Sequence, residues 1–166
     1  MRALLRHWPW SALIASAAAL AIAHAFQTFA HLAPCELCLK QREVYWMAVA
    51  LAAVGIIAGF TPWRVRGVRI ACVALAGIFA WGAVLAGYHA GVEWKWWPGP
   101  ASCSGGAASV SAADLAALLH GARLSMPSCD TPAWVFLGLS MAGWNALASL
   151  ILAILSVLGA MERRAA

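Results

Sequence analysis

Residues 68–89, VRIACVALAGIFAWGAVLAGYH, decide what kind of fold this chain can adopt. They are rich in Ala, Leu and Gly, show no strand-like alternation, and carry no acidic or basic side chain between Arg69 and His89. Crossing the hydrocarbon of a bilayer takes roughly 20 such residues. A helix lets the segment pair its backbone groups internally. Three more segments, at about 10–30, 43–61 and 133–159, read the same way. The first follows a positive start, Met1 to Arg6, and contains Ala23-His24-Ala25, a stretch resembling a cleavage site. Its apolar run exceeds the roughly 7–15 residues of a signal-peptide core, so it reads as a retained span.

Composition points the same way. Of 166 residues, 64% are hydrophobic and 10% charged, against about 25% charged in soluble domains. So few charges cannot cover a soluble surface. The expected fold is an all-α membrane protein, a four-transmembrane-helix bundle forming one integral domain over 1–166. Its first outer loop, about 31–42, is short and its second, about 90–132, is long.

The net charge of +5 does not indicate nucleic acid, because no basic stripe with interleaved polar residues is present. The arginines cluster between apolar runs: Arg2 and Arg6; Arg64, Arg66 and Arg69; Arg163 and Arg164. With four spans these clusters share one face with both termini, and by the positive-inside rule that face is cytoplasmic. Trp8, Trp10, Trp63, Trp94, Trp96, Trp97 and Trp134 lie near span ends, where interfacial anchors are expected.

On this topology Cys35, Cys38, Cys103 and Cys129 face outward, where disulfides persist. Cys72 lies inside the third span and reads as a small buried hydrophobe. Three chemistries suit the outer four. Zinc would want two closely spaced pairs, and Cys103 and Cys129 lack finger spacing. Passive disulfides would staple loops, leaving a structural or metal-handling four-helix membrane protein as the alternative function. A redox relay suits the stretch PCELCLKQR, residues 34–42, best. A two-residue gap gains little as a staple, whereas it lets one thiol attack and the other resolve. Cys38 lies near the start of the second span, where the helix dipole favours an anion, and Arg42 is one turn on. Both favour the thiolate, the reactive form. With no haem, flavin-type or iron–sulfur motif, the acceptor best matched to such a dithiol is a quinone dissolved in the membrane. Arg42 would hydrogen-bond its carbonyl.

These motifs resemble the DsbB-type disulfide bond formation proteins, quinone-dependent thiol oxidases of the bacterial inner membrane. Phe26-Gln27, Pro34-Cys35, Leu37-Cys38 and Arg42 match the first-loop pattern of that family. Tyr88-His89, Pro98 and Pro100 before Cys103, and Cys129 followed by Trp134 and Phe136 to Met141 match the remainder. The resemblance implies a multi-pass inner-membrane protein, both termini cytoplasmic, that re-oxidises a periplasmic DsbA-like dithiol protein. It implies that Cys103 is attacked by the partner and that Cys129 exchanges with Cys35. Cys38 would face the quinone in a charge-transfer or adduct state, with Arg42 and His89 beside the ring and Met141 lining its pocket. The quinone would be ubiquinone in preference to menaquinone, and no metal is expected. DsbA-type oxidants have a reference potential of about −120 mV, so only a drained quinone pool can keep re-oxidising one. A related alternative is a quinone reductase of the vitamin K epoxide reductase kind, whose cysteine order differs.

Three expectations lie outside the family pattern. Glu93 reads as an exposed loop carboxylate and His24 as a packed, neutral histidine. The stretch SAADLAALLH, residues 111–120, reads as a short helix on the membrane surface that steers a loop obliged to move during exchange.

Overall fold

The computed structural model describes residues 2–100, 103 and 128–162. The predicted surface helix at 111–120 lies outside them. A short helix α1, Arg2–Arg6, precedes four long ones: α2 Trp8–Phe29, α3 Glu36–Ala58, α4 Arg64–Glu93 and α5 Met141–Glu162. At 1.5 Å per residue the shortest of these reaches about 33 Å, enough for the roughly 30 Å hydrocarbon layer. All four are long and apolar enough to cross a membrane, and the chain is a multi-pass membrane protein with the expected four-helix bundle.

The helix ends follow from local chemistry. Pro9 sits in the first turn of α2, where its missing N–H is no loss. Cys35 caps α3 in extended conformation, its sulfur accepting the Cys38 N–H at 3.3 Å. Pro62 follows the end of α3 and cannot continue it. Before α5 the chain forms a β-hairpin, β1 Val135–Phe136 against β2 Leu139–Ser140, instead of beginning the fourth span at 133. Its two-residue turn puts Leu137 at φ 51° and Gly138 at φ 81°, the left-handed pair that matches strand twist.

The helices pack in chain order, α2 on α3, α3 on α4 and, most extensively, α4 on α5. Contact between α2 and α5 is slight. The core is built from Tyr45, Ala48, Ala52, Cys72, Leu75, Phe79 and Ala153, with small residues setting the helix separation. At Gly82, for example, an added Cβ would lie 3.0 Å from Val44 Cγ1. Ile14, Ile22, Val54, Ile70, Trp81, Val84 and Ile154 point outward, as lipid-facing positions should.

Away from the cysteine end, Trp8 and His24 depart from expectation. Trp8 is no interfacial anchor: it is 2% exposed in the core, its Nε1–H donating to Ser156 Oγ at 2.8 Å. Placed at the junction of α1 and α2, it is the wedge that holds the chain start against α5 over Gly159. His24 is exposed instead of packed, because it sits on the outer side of α2; its Nδ1–H donates to Leu20 O at 2.7 Å within its own helix.

Candidate functional site

The fold brings all four outer cysteines to one end of the bundle. Cys103 and Cys129 are joined, with Cα atoms 5.2 Å apart, while Cys35 and Cys38 are not joined to each other. Cys35, Cys103 and Cys129 are buried together with Leu37 and Val92, and Cys38 and Leu85 pack against them. Cys35 Sγ, Cys129 Sγ and a His89 ring nitrogen lie within 4.8 Å of one another. The second loop therefore already rests its disulfide against the first pair. The motion expected from sequence is not needed to bring Cys129 near Cys35. Hydrogen bonding to the Cys38 sulfur, reinforced by burial, pushes the Cys35 thiol upward, which makes it the protonated member of its pair.

Loop contacts hold this seat. Lys95, at φ 62° just beyond α4, donates from Nζ to Asp130 Oδ2 at 2.7 Å and to Asp130 O at 2.6 Å. Beside Lys95, the Asp130 carboxyl is held below its usual value. Trp97 stacks on Tyr88 at 5.9 Å and fills the space over Gly91, where a Cβ would meet its ring at 2.0 Å.

Cys38 and Arg42 occupy one face of α3 at helical spacing. The guanidinium donates to Gln27 Oε1 at 2.6 Å and to Ala23 O at 3.0 Å, so it turns toward α2. Gln41 and Tyr45 turn the other way, toward Asn145 of α5. Thus α3 reaches α2 on one side and α5 on the other, two helices that hardly touch each other. Met141 is one turn before Asn145 on the same face of α5. A run of rings lies at this end: Phe26 meets Trp134 at 5.4 Å, Trp134 stacks on Phe136 at 5.7 Å, and Phe136 meets Trp144 at 6.4 Å.

His89 is 4% exposed, its Nε2 3.7 Å from Cys35 Sγ and 3.9 Å from Glu93 Oε1. Glu93 is not an exposed loop carboxylate. Helix α4 runs on to include it, its side chain is 6% exposed, and it accepts a hydrogen bond from Ser140 Oγ. Sequence reasoning missed Gln41, Tyr45, Asn145 and Ser149, which form a buried polar chain ending on His89. Their i,i+4 spacing, 41 with 45 and 145 with 149, was the available signal. Polar residues sharing one face of an apolar span are functional candidates.

A buried trio of two thiols and an imidazole could also ligate zinc. Here Cys129 spends its sulfur on Cys103, so the trio is no ligand set in this redox state. A disulfide seated on a buried thiol, beside a second, half-buried thiol, is suited to thiol–disulfide exchange.

Comparison with known proteins agrees. A profile described as "Disulfide bond formation protein DsbB" matches residues 5–159. The chain is 34% identical over 156 residues to "Disulfide bond formation protein B 2" of Pseudomonas entomophila (strain L48), covering 91% of this chain and 88% of that protein. No solved structure matches at a significant level. With its cysteine pairs gathered at one end of four membrane helices, the chain belongs to the DsbB family of disulfide bond formation proteins.

Proposed function

We propose that this thiol oxidase draws electrons from a DsbA-like dithiol protein in the periplasm and delivers them to a membrane quinone. The observation that carries the reading is the seating of the Cys103–Cys129 disulfide against Cys35, with Cys38 in the first turn of α3 packed against the same cluster.

The exchange chemistry follows from those positions. A partner thiolate attacks Cys103 Sγ, breaks its bond to Cys129 and leaves the electron pair on Cys129. That sulfur attacks Cys35 of an oxidised Cys35–Cys38 pair, and Cys38 leaves as the thiolate. The partner's second thiol displaces Cys103, which then re-forms its bond with Cys129 and releases Cys35. Two electrons now reside on the first pair, the arrangement in this structure.

The quinone would sit between α2 and α5. A flat, apolar ring needs aromatic and aliphatic walls with a few donors; the ring cluster of Phe26, Trp134 and Phe136, with Met141 at the start of α5 and Arg42 and Cys38 on one face of α3, supplies those chemistries at this end of the bundle. When bound, the quinone supplies a two-electron acceptor. Arg42 would hold it through a carbonyl oxygen, using guanidinium hydrogens beyond the two engaged with α2. The ring is assigned as ubiquinone in preference to menaquinone. Arg6, Arg64, Arg66 and Arg69 at the opposite end support an inner-membrane orientation with cytoplasmic termini.

The test mixes purified protein with a reduced DsbA-like protein and a soluble quinone, and follows quinone absorbance. Cys38→Ser should abolish quinone reduction. Cys103→Ser should stop exchange with the partner. Full turnover without quinone, or trapping of the partner on Cys129, contradicts the scheme.

A further inference from the structure

A buried polar chain runs across the bundle beside the cysteines. Ser149 Oγ lies 3.2 Å from Tyr45 Oη, Tyr45 donates to Asn145 Oδ1 at 2.5 Å, and Asn145 Nδ2 donates to Gln41 Oε1 at 2.5 Å. Gln41 Nε2 then reaches His89 Nδ1 at 2.8 Å. Three helices contribute, and Gln41, His89 and Ser149 are all buried. Such a chain inside a membrane bundle is expensive unless every member is satisfied. The direction of each bond therefore constrains the next.

The histidine end fixes that direction. Its Nε2 faces the Glu93 carboxylate, an acceptor, with Oε1 at 3.9 Å, and the Cys35 sulfur, which accepts weakly even as a thiol, at 3.7 Å. A nitrogen turned toward a carboxylate and away from any strong donor carries the proton, so a neutral His89 has its lone pair on Nδ1. That lone pair requires the Gln41 NH2. The Gln41 oxygen then requires the Asn145 NH2, and the Asn145 oxygen requires the tyrosine hydrogen. Every partner in the chain meets this demand.

We propose that Gln41, Asn145 and Tyr45 are positioning residues that lock His89 as an Nε2–H donor aimed at the Cys35 sulfur. The chemical use of this lock rests on the exchange scheme above; its geometry does not. When Cys103 attacks Cys129, the Cys103–Cys129 bond forms, the Cys129–Cys35 bond breaks, and the electron pair goes to Cys35 Sγ. The His89 N–H meets that charge as it develops, and no proton leaves the ring. A histidine in the other tautomer would present a lone pair and oppose the departing sulfur.

The experiment uses full-length protein labelled with 15N-histidine in detergent micelles. The His89 signal is identified by its loss in His89→Gln. In the native protein Nε2 should resonate as protonated and Nδ1 as unprotonated. Asn145→Asp, studied at alkaline pH where the new carboxylate is ionised, keeps the shape but cannot donate to Gln41. The Gln41 amide should turn over, presenting its oxygen to Nδ1, and the ring proton should move to Nδ1. Release of Cys35, followed by acid trapping of thiols, should slow about tenfold or more, the effect of one hydrogen bond to a charged group. A native ring protonated on Nδ1, or a tautomer indifferent to Asn145→Asp, overturns the proposal. Should the tautomers behave as stated while quinone is never reduced, the positioning stands and the quinone assignment falls.

Discussion

Arg42 has two tasks that can be separated by substitution. Its side chain ties α3 to α2 through Gln27 and Ala23, and it places a positive charge one turn from Cys38. Arg42→Met removes both. A hydrogen bond to a charged group contributes about 1.5–3 kcal/mol, so the apparent KM for quinone should rise roughly tenfold to a hundredfold. Gln27→Ala loosens the tie and keeps the charge, and its KM should move less than the Met variant's. Steady-state titration with a soluble quinone distinguishes them; equal effects would make the tie, not the charge, the important part. The place of Arg42 on the Cys38 face of α3 was legible because the four-residue spacing is local. It hid the Gln41–Asn145 bond because those residues are 104 positions apart and neither is charged.

Elements tell a similar story. Long apolar runs made the four helices legible, since composition and length alone determine what a bilayer accepts. The hairpin before α5 was not legible. Val135 to Leu139 is almost continuously apolar, so the stretch merged with the span behind it, and Leu137-Gly138 lacks the usual Asn-Gly turn signal. Gly138 at φ 81° is the position that tests it. Gly138→Val should lower stability by roughly 1–2 kcal/mol, read as a lower melting temperature in detergent, while Leu137→Gly should not. Glu93 was misplaced for a related reason: α4 continues past the apolar run, through Gly91 and Val92, before it ends. There Gly91→Ala would drive a Cβ into the Trp97 ring and should destabilise by about 1–3 kcal/mol. In a Trp97→Ala background the same change should be nearly neutral, because the clash is gone.

At the scale of the whole molecule, the bundle holds a buried cysteine cluster at one end and fastens the second loop against it. The fastening is electrostatic and exposed, through Lys95 and Asp130, one residue from Cys129. Its dependence on pH follows from the sign of the shift. Lys95 holds the Asp130 carboxyl below its usual value, so the contribution is fully present above that value, about 4. It is lost as pH falls through the depressed folded value. Reduction of Cys103–Cys129 by a phosphine, which remains active in acid, should therefore proceed at one rate from neutral pH down to about 4 and accelerate severalfold below it. Asp130→Asn should show the faster rate throughout, with no acid step and unchanged helicity. A wild-type step that survives in Asp130→Asn would mean that another group, not this ion pair, keeps the loop on its seat.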